Sequence, residues 1–594
     1  MKYLLIFSLV LAVACTDSGS STAPNTNNGN NGLTTLFDQY YEDRLRLYPI
    51  EATQNGDNRY NDRLNIDISE PFRDTLRAFY GQYLEGIKKF NRDDLSENDR
   101  ISYDIFRREM EMQLEGLTYN DHYIPFQQFW GLPLTMGQLG SGQSSQPFKT
   151  AEDYRAWMSR AKTFATWADT AMATFRRGAQ AGLVLPRPLV AKMIPQMRDM
   201  ANPDTATNVF FGPLRTLPAG LQGDDSLKAS FAHTITTYVL PAYKRLGDFL
   251  QNEYLPKART TTGISATPGG AGRYNYLIRY WTTTDKSAEE IYQTGLKEVA
   301  RIRSEMERTK EQVGFKGDLN AFFNQMRNDP KLMPFKTPEE VLNAFRAVQQ
   351  KIDPNLDKMF GRTPKTPFEI RQTEAFRAAS AAAEYQQGTP DGKRPGIFYV
   401  PIVDATKFNV TSGLESLFLH EAIPGHHYQI SLQQENESLP KFRRFSWYGA
   451  YGEGWALYTE SLGKELGLYT DPYQYMGALG DEIHRAIRLV VDVGMHTKNM
   501  TREEAIKYMM DNEAISEEGA VAEIERYMAI PGQALSYKIG ALKIRELRHK
   551  YEQQLGKEFN LSNFHDEFLK DGCMPLDVVE RKMDAWAARK VKKV

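Results

Sequence analysis

From residue 33 onward, apolar and polar positions recur at helical spacing over most of the chain, and strand-like alternation is rare. Ser96 and Asp99 form a capping signal ahead of the run from Ile101 to Leu117. Helical periodicity returns over 151–178 and 228–252. Ser287 and Glu290 open a helix that sets Ala288, Ile291, Gly295, Val299, Ile302 and Met306 on one face. Thr337-Pro338-Glu339-Glu340 joins an N-cap, a first-turn proline and a capping-box glutamate, and Thr501 with Glu504 repeats that signal. Residues 120–150 hold Gly, Ser, Gln and aromatics without a period and read as a long ordered loop. The best strand is Gly396-Ile397-Phe398-Tyr399-Val400, after the turn-rich Thr389-Pro390-Asp391-Gly392. No internal repeat and no second linker interrupts the pattern. It predicts one mostly α-helical domain over 34–594, large enough for two packed lobes, with a small β element.

One apolar stretch carries unusual chemistry. Leu414, Leu417, Phe418 and Leu419 lead into His420 and Glu421, and His426 and His427 precede Ile430. A buried helix bearing His-Glu is the usual setting for a metal with a base beside it, as in His-Glu-x-x-His zinc peptidases. The spacing here differs. A second ligand four residues on would be position 424, which is proline. On an unbroken helix His426 would face away, and His427 would lie about 10 Å along the axis. Proline removes a helical donor and glycine tolerates unusual dihedrals, so a bulge at Ile423-Pro424-Gly425 is expected to restore the geometry. His426 is then the first choice for second ligand and His427 the alternative. A core histidine cluster without metal is the competing reading.

A tetrahedral zinc site with two histidines needs a third protein ligand. Glu453, flanked by Gly452 and Gly454 ahead of an apolar helical run, is the candidate. Glu460, two turns later, reads as a solvated charge, with orientation of a ligand histidine as the alternative. Downstream, Arg526-Tyr527 and Tyr537-Lys538 concentrate donors, and His496 adds another. A tyrosine hydroxyl near the metal would stabilise an oxyanion, and Arg526 or Lys538 could hold a terminal carboxylate. The strand at Tyr399 could lead a peptide backbone across the metal by edge addition, a core-packed hairpin strand being the alternative.

The N-terminus changes the cellular picture. Lys2 precedes the apolar run Leu4 to Val13, and Ala12-Val13-Ala14-Cys15 resembles a bacterial lipobox. Residues 1–14 would be a signal peptide, Cys15 would carry lipid, and 15–33, rich in Ser, Thr, Asn and Gly, would form a flexible tether. The other cysteine is Cys573, so lipidation of Cys15 leaves no pair for an intrachain disulfide. No later segment has the length and purity of a membrane span. The expected location is the cell envelope, at the outer membrane facing the periplasm or the cell surface. A formal net charge of −2 without a basic tract argues against nucleic acid as a partner.

His-Glu-Ala-Ile-Pro-Gly-His-His, Glu-Gly-Trp-Ala-Leu-Tyr, Arg-Pro-Gly-Ile-Phe-Tyr-Val and Pro-Gly-Gln-Ala-Leu-Ser-Tyr-Lys-Ile-Gly together resemble a bacterial lipoprotein family known only as a domain of unknown function. The resemblance runs from about residue 35 to Met574-Pro575-Leu576-Asp577 near the C-terminus. More distantly, the pattern is similar to helical gluzincins such as angiotensin-converting enzyme and thimet oligopeptidase. That likeness implies a two-lobed helical fold around a deep cleft and one zinc held by His420, His426 and Glu453. It also implies Glu421 as general base and Tyr527, beside Arg526, as the transition-state tyrosine. The expectation is a lipid-anchored zinc metallopeptidase acting on short peptides. The rivals are a catalytically silent metal- or peptide-binding lipoprotein and a zinc hydrolase of a non-peptide amide.

Overall fold

Helices make up nearly all the regular structure of the computed structural model, which describes residues 27–373, 382–411 and 413–591. The expected signal peptide, Cys15 and residues 16–26 of the tether lie outside the described residues. Helix α1 (Asn27–Leu47) begins inside the segment expected to be tether. Leu33 and Phe37 explain the difference, because they are buried with Tyr80, Tyr83 and Phe106, and apolar burial outweighs the local Asn and Gly.

The capping signals hold where the sequence placed them. Ser96 accepts the Asp99 N–H at the start of α2 (Glu97–Gly116), and α3 (Ala151–Gln180) follows. Helices α4 (Ala288–Gln312) and α5 (Pro338–Met359) open with full capping boxes at Ser287–Glu290 and Thr337–Glu340. The segment Arg502–Asn512 does the same at Thr501–Glu504. The region 228–252 is helical but unevenly wound, with a π turn at Ile235–Val239 between Asp225–Thr234 and Leu240–Phe249. The expected loop at 120–150 contains a helix, Leu132–Gly140. It has no polar face to give it a period, and it buries Met136 and Leu139 in the core.

Three strands, β1 (Phe368–Gln372), β2 (Glu384–Gln386) and β3 (Gly396–Val400), form a sheet in the order β1-β3-β2. Strand β3 runs parallel to β1 and antiparallel to β2, and all five of its residues are buried. This overturns the edge-addition reading. Both edges of β3 are occupied, and Tyr399 is paired in register with Arg371 on one side and Glu384 on the other. A lone strand leaves its backbone donors and acceptors unpaired, which is why flanking strands cover it.

The chain then supplies α6 (Leu414–Glu421), α7 (His426–Glu435), α8 (Gly449–Glu460), α9 (Pro472–Thr497), α10 (Glu517–Ala529) and α11 (Leu535–Leu555). Two large apolar cores result. One gathers α3 and most of α9 around Trp157, Phe164, Trp167 and Tyr243. The other gathers α5, the sheet, α6, α8 and α11 around Phe345, Phe398, Phe418, Trp455 and Ile544. Helix α9 packs on α4, α6 and α11 and joins the two. Helices α8 and α11 touch backbone to backbone at Gly454 and Gly540, where any Cβ would collide with the opposite main chain.

Candidate metal centre

The stretch 414–430 is two helices rather than one with a bulge. Helix α6 ends at Glu421, the chain turns through 422–425, and α7 starts at His426. Gly425 sits so close to the end of α6 that a Cβ would strike the carbonyl oxygens of Leu419 and His420. Pro424 cannot donate to the preceding turn, so the helix stops here for lack of both space and a hydrogen bond. Helix α8 fastens the turn from outside. Trp455 Nε1–H donates to the Pro424 carbonyl at 2.9 Å, and the Thr459 hydroxyl donates to the Leu419 carbonyl at 2.8 Å.

The same helix supplies two carboxylates to the histidines. Glu453 Oε2 lies 3.6 Å from His420 Nε2 and 3.4 Å from His426 Nε2. One ligand atom from each of the three residues falls within 4.8 Å of the others. Two donors bonded at roughly 2.0–2.1 Å to one tetrahedral zinc ion would stand about 3.3–3.4 Å apart. Two imidazole nitrogens and a carboxylate oxygen are also a donor set that suits such an ion. The residues present therefore fit a divalent metal.

Glu460, two turns after Glu453, is buried rather than solvated. It accepts a hydrogen bond from His420 Nδ1–H at 2.7 Å, which leaves the Nε2 lone pair directed at the centre. Sequence alone pointed to a surface charge because α8 has no polar face against which to read it. The Nδ1 of His426, by contrast, is buried without a partner among the described residues, so no neighbour fixes its tautomer. Burial opposes charge on His420, yet Glu453 and Glu460 together outweigh it and push the imidazole up to about 10. Burial also works against the Glu453 carboxylate, and the two histidines still hold it well below the usual range. The carboxylates thus call for positive charge between them, a demand that a divalent cation meets.

His427 is not part of this cluster. Its ring faces the sheet, with Nδ1 3.0 Å from the Tyr385 hydroxyl and the ring against Phe368, and burial pushes it down to about 4. Glu421 is half-buried, and its carboxyl makes no hydrogen bond or ion pair among the described residues. Burial pushes its pKa up against the pull of His420 and His426.

Several expected site residues turn out to be structural. His496 is fully buried, its Nδ1 accepting the Ile264 N–H and its Nε2–H donating to the Tyr527 carbonyl, both at 3.0 Å. With both nitrogens spent it cannot serve a substrate. Lys538 is 1 % exposed and bridges Glu482 at 2.8 Å and Glu298 at 3.0 Å, which rules it out as a carboxylate anchor. Tyr527 is buried, donating to Glu523 at 2.5 Å and accepting from Arg488 at 2.9 Å. Tyr537 is freer. It is half-buried, and its hydroxyl accepts from Arg526 at 3.4 Å. It stands one helical turn before Gly540, which touches Gly454 next to Glu453.

Sequence reasoning missed Arg485 and Arg488 on α9. Arg485 lies 4.0 Å from Glu460, and Arg488 stacks over the Tyr537 ring at 4.5 Å. Together they link the His-His-Glu cluster to the Arg526–Tyr537 pair. Their signal was present, as arginines one turn apart leading into the buried half of the helix.

Fold and site define a large helical protein built around a buried His-His-Glu centre. The chain belongs to a bacterial family of unknown function, DUF885, whose pattern matches residues 49–583. It is similar to the crystal structure of a candidate lipoprotein from Colwellia psychrerythraea, with 28% identity and a TM-score of 0.87. That match covers 94% of this chain and 100% of the other. A candidate lipoprotein of unknown function from Shewanella oneidensis shares the fold at 20% identity and a TM-score of 0.72, over 93% of this chain and 99% of that one. No curated protein matches the chain significantly.

Proposed function

We propose that this protein is a zinc-dependent hydrolase of peptide bonds in short peptides, held at the bacterial envelope by lipid on Cys15. The observation that carries this reading is the convergence of His420, His426 and Glu453, with the carboxyl of Glu421 beside them and unpartnered among the described residues. A purely metal-storing site has no use for a base in that position. The lipoprotein naming of two structural relatives supports the anchor. Among the described residues no helix is long and apolar enough to cross a membrane.

His420, His426 and Glu453 would hold the zinc, which supplies a Lewis acid that polarises a carbonyl and acidifies water. Glu421 takes the proton from the attacking water and delivers it to the leaving amine. Glu460 keeps His420 in the tautomer that presents Nε2. Tyr537, its hydroxyl accepting from Arg526, would donate to the oxyanion.

The deciding experiment is metal analysis of the purified chain, wild type against His420→Ala, His426→Ala, His427→Ala and Glu453→Ala, followed by a peptide-library screen. The expected result is about one zinc per chain, lost in every variant except His427→Ala. A wild type that binds no zinc even when it is supplied would overturn the reading.

A further inference from the structure

Beside the His-His-Glu cluster, and separate from its ligands, lies a cavity of about 260 Å³. Its wall includes Tyr40, Tyr41, Tyr280, Trp281, Phe445 and Trp447, drawn from three distant parts of the chain. Trp447 connects cavity and cluster. Its ring centroid is 5.8 Å from that of His426, and the ring lies on α8 at Gly452, where a Cβ would overlap the indole. A large apolar side chain placed this deep would ordinarily be covered, yet Trp447 is 46% exposed. On the far wall Trp281 is half-buried, with Trp130 6.2 Å away and 57% exposed. Indole surface is thus left open where a peptide would pass the centre.

The volume and the charges narrow the occupant. A cavity of roughly 150 Å³ holds benzene, so this one admits a phenol or an indole. The charged groups at its rim are each hydrogen-bonded, Arg108 to the Arg279 carbonyl at 2.9 Å. Arg44 is held by Glu51 at 2.9 Å, and Glu109 accepts from Gln113 at 2.8 Å and from the Tyr448 hydroxyl at 3.3 Å. An ionic side chain would give up hydration against a mostly aromatic wall, whereas a ring would gain stacked and edge contacts there. Consecutive residues of an extended peptide are about 3.5 Å apart, so a side chain next to the cleaved bond reaches from His426 into this space.

Building on the peptidase reading, we infer that this cavity is the specificity pocket, and that it takes an aromatic side chain from a residue flanking the scissile bond. The test is a matched set of short peptides differing at one position on either side of the cleaved bond (Phe, Tyr, Trp, Ala or Glu). Expected is a kcat/KM at least about 10-fold higher for the aromatic members than for Ala on one side of the bond, as burial of a ring predicts. The Phe-to-Ala ratio should fall to within about 3-fold in Trp447→Ala and Trp281→Ala and recover in Trp447→Phe. Trp281 contacts no ligand histidine, so its variant guards against a Trp447 change that merely disturbs the centre. Affinity is measured in parallel by calorimetry on Glu421→Gln, and hydrolysis without aromatic preference would overturn the pocket while leaving the peptidase intact. If no peptide is cleaved, the peptidase reading fails, and the binding arm judges the pocket alone. Preferential binding of Phe over Ala peptides, abolished by Trp281→Ala, would support it, and equal or absent binding would overturn it.

Discussion

Glu460 accepts a 2.7 Å hydrogen bond from His420 Nδ1 on the side of the imidazole away from Glu453. One helix therefore reaches both faces of the same histidine, with Glu453 and Glu460 two turns apart. This arrangement fixes the ring plane before any ion arrives, and the ion then takes the place of the Nε2 proton. Glu460→Ala should lower zinc affinity about 10- to 100-fold, measured by competition against a chelator, with Glu460→Gln losing less because it keeps an acceptor oxygen. Unchanged affinity in the alanine variant would show that His420 needs no orienting partner.

Glu421 differs from the other carboxylates here because no hydrogen bond or ion pair among the described residues consumes it. Its replacement by Gln keeps size and removes the base, so zinc content should stay at the wild-type level while kcat falls by about 10²- to 10⁴-fold. Parallel loss of metal would instead make Glu421 part of the ligand set, and the assignment of the base would be wrong.

What could be read from the sequence, and what could not, follows the range of the interactions involved. Ser287, Thr337 and Thr501 announced their helices because a capping box is closed within four residues. Pro424-Gly425 announced an interruption for the same local reason, although the outcome is a full break. Glu453 stood out through its flanking glycines, one of which proves to serve the contact with Gly540. The fates of His496, Lys538 and Tyr399 were hidden, since each depends on a partner far away in the chain: Ile264, Glu298 and the strands beside β3. Glu460 was misread because a buried carboxylate and a solvated one look alike until their neighbours are known.

The Gly454–Gly540 contact makes a prediction about stability rather than chemistry. A Cβ at position 540 would run into the Ala450 carbonyl oxygen and the Gly454 backbone, neither of which can swing aside as a side chain would. Gly540→Ala should therefore destabilise the protein by about 1–3 kcal/mol, read from the midpoint of urea unfolding with an unchanged m-value. Because the crossing positions Glu453, zinc affinity should weaken in the same variant. A neutral result in both measurements would mean that α8 and α11 slide past one another freely.

Asp492 supplies a pH dependence remote from the metal ligands. It lies wholly inside α9, accepting from the Tyr274 hydroxyl at 2.6 Å and from the Gly532 N–H at 3.1 Å, and burial raises its pKa to about 7 despite both donors. The unfolded chain loses this proton near pH 4, whereas the folded chain keeps it to about 7. Between those values the native state binds the extra proton, so its contribution to stability is complete below pH 4 and is lost as pH rises to 7. The slope is at most about 1.4 kcal/mol per pH unit. Asp492→Asn keeps the shape and removes the titration, so the difference between variant and wild type should change steadily over pH 4–7 and stay flat above it. A constant difference across that window would mean that Asp492 is already ionised in the fold, and that Tyr274 and Gly532 stabilise its charge more than burial opposes it.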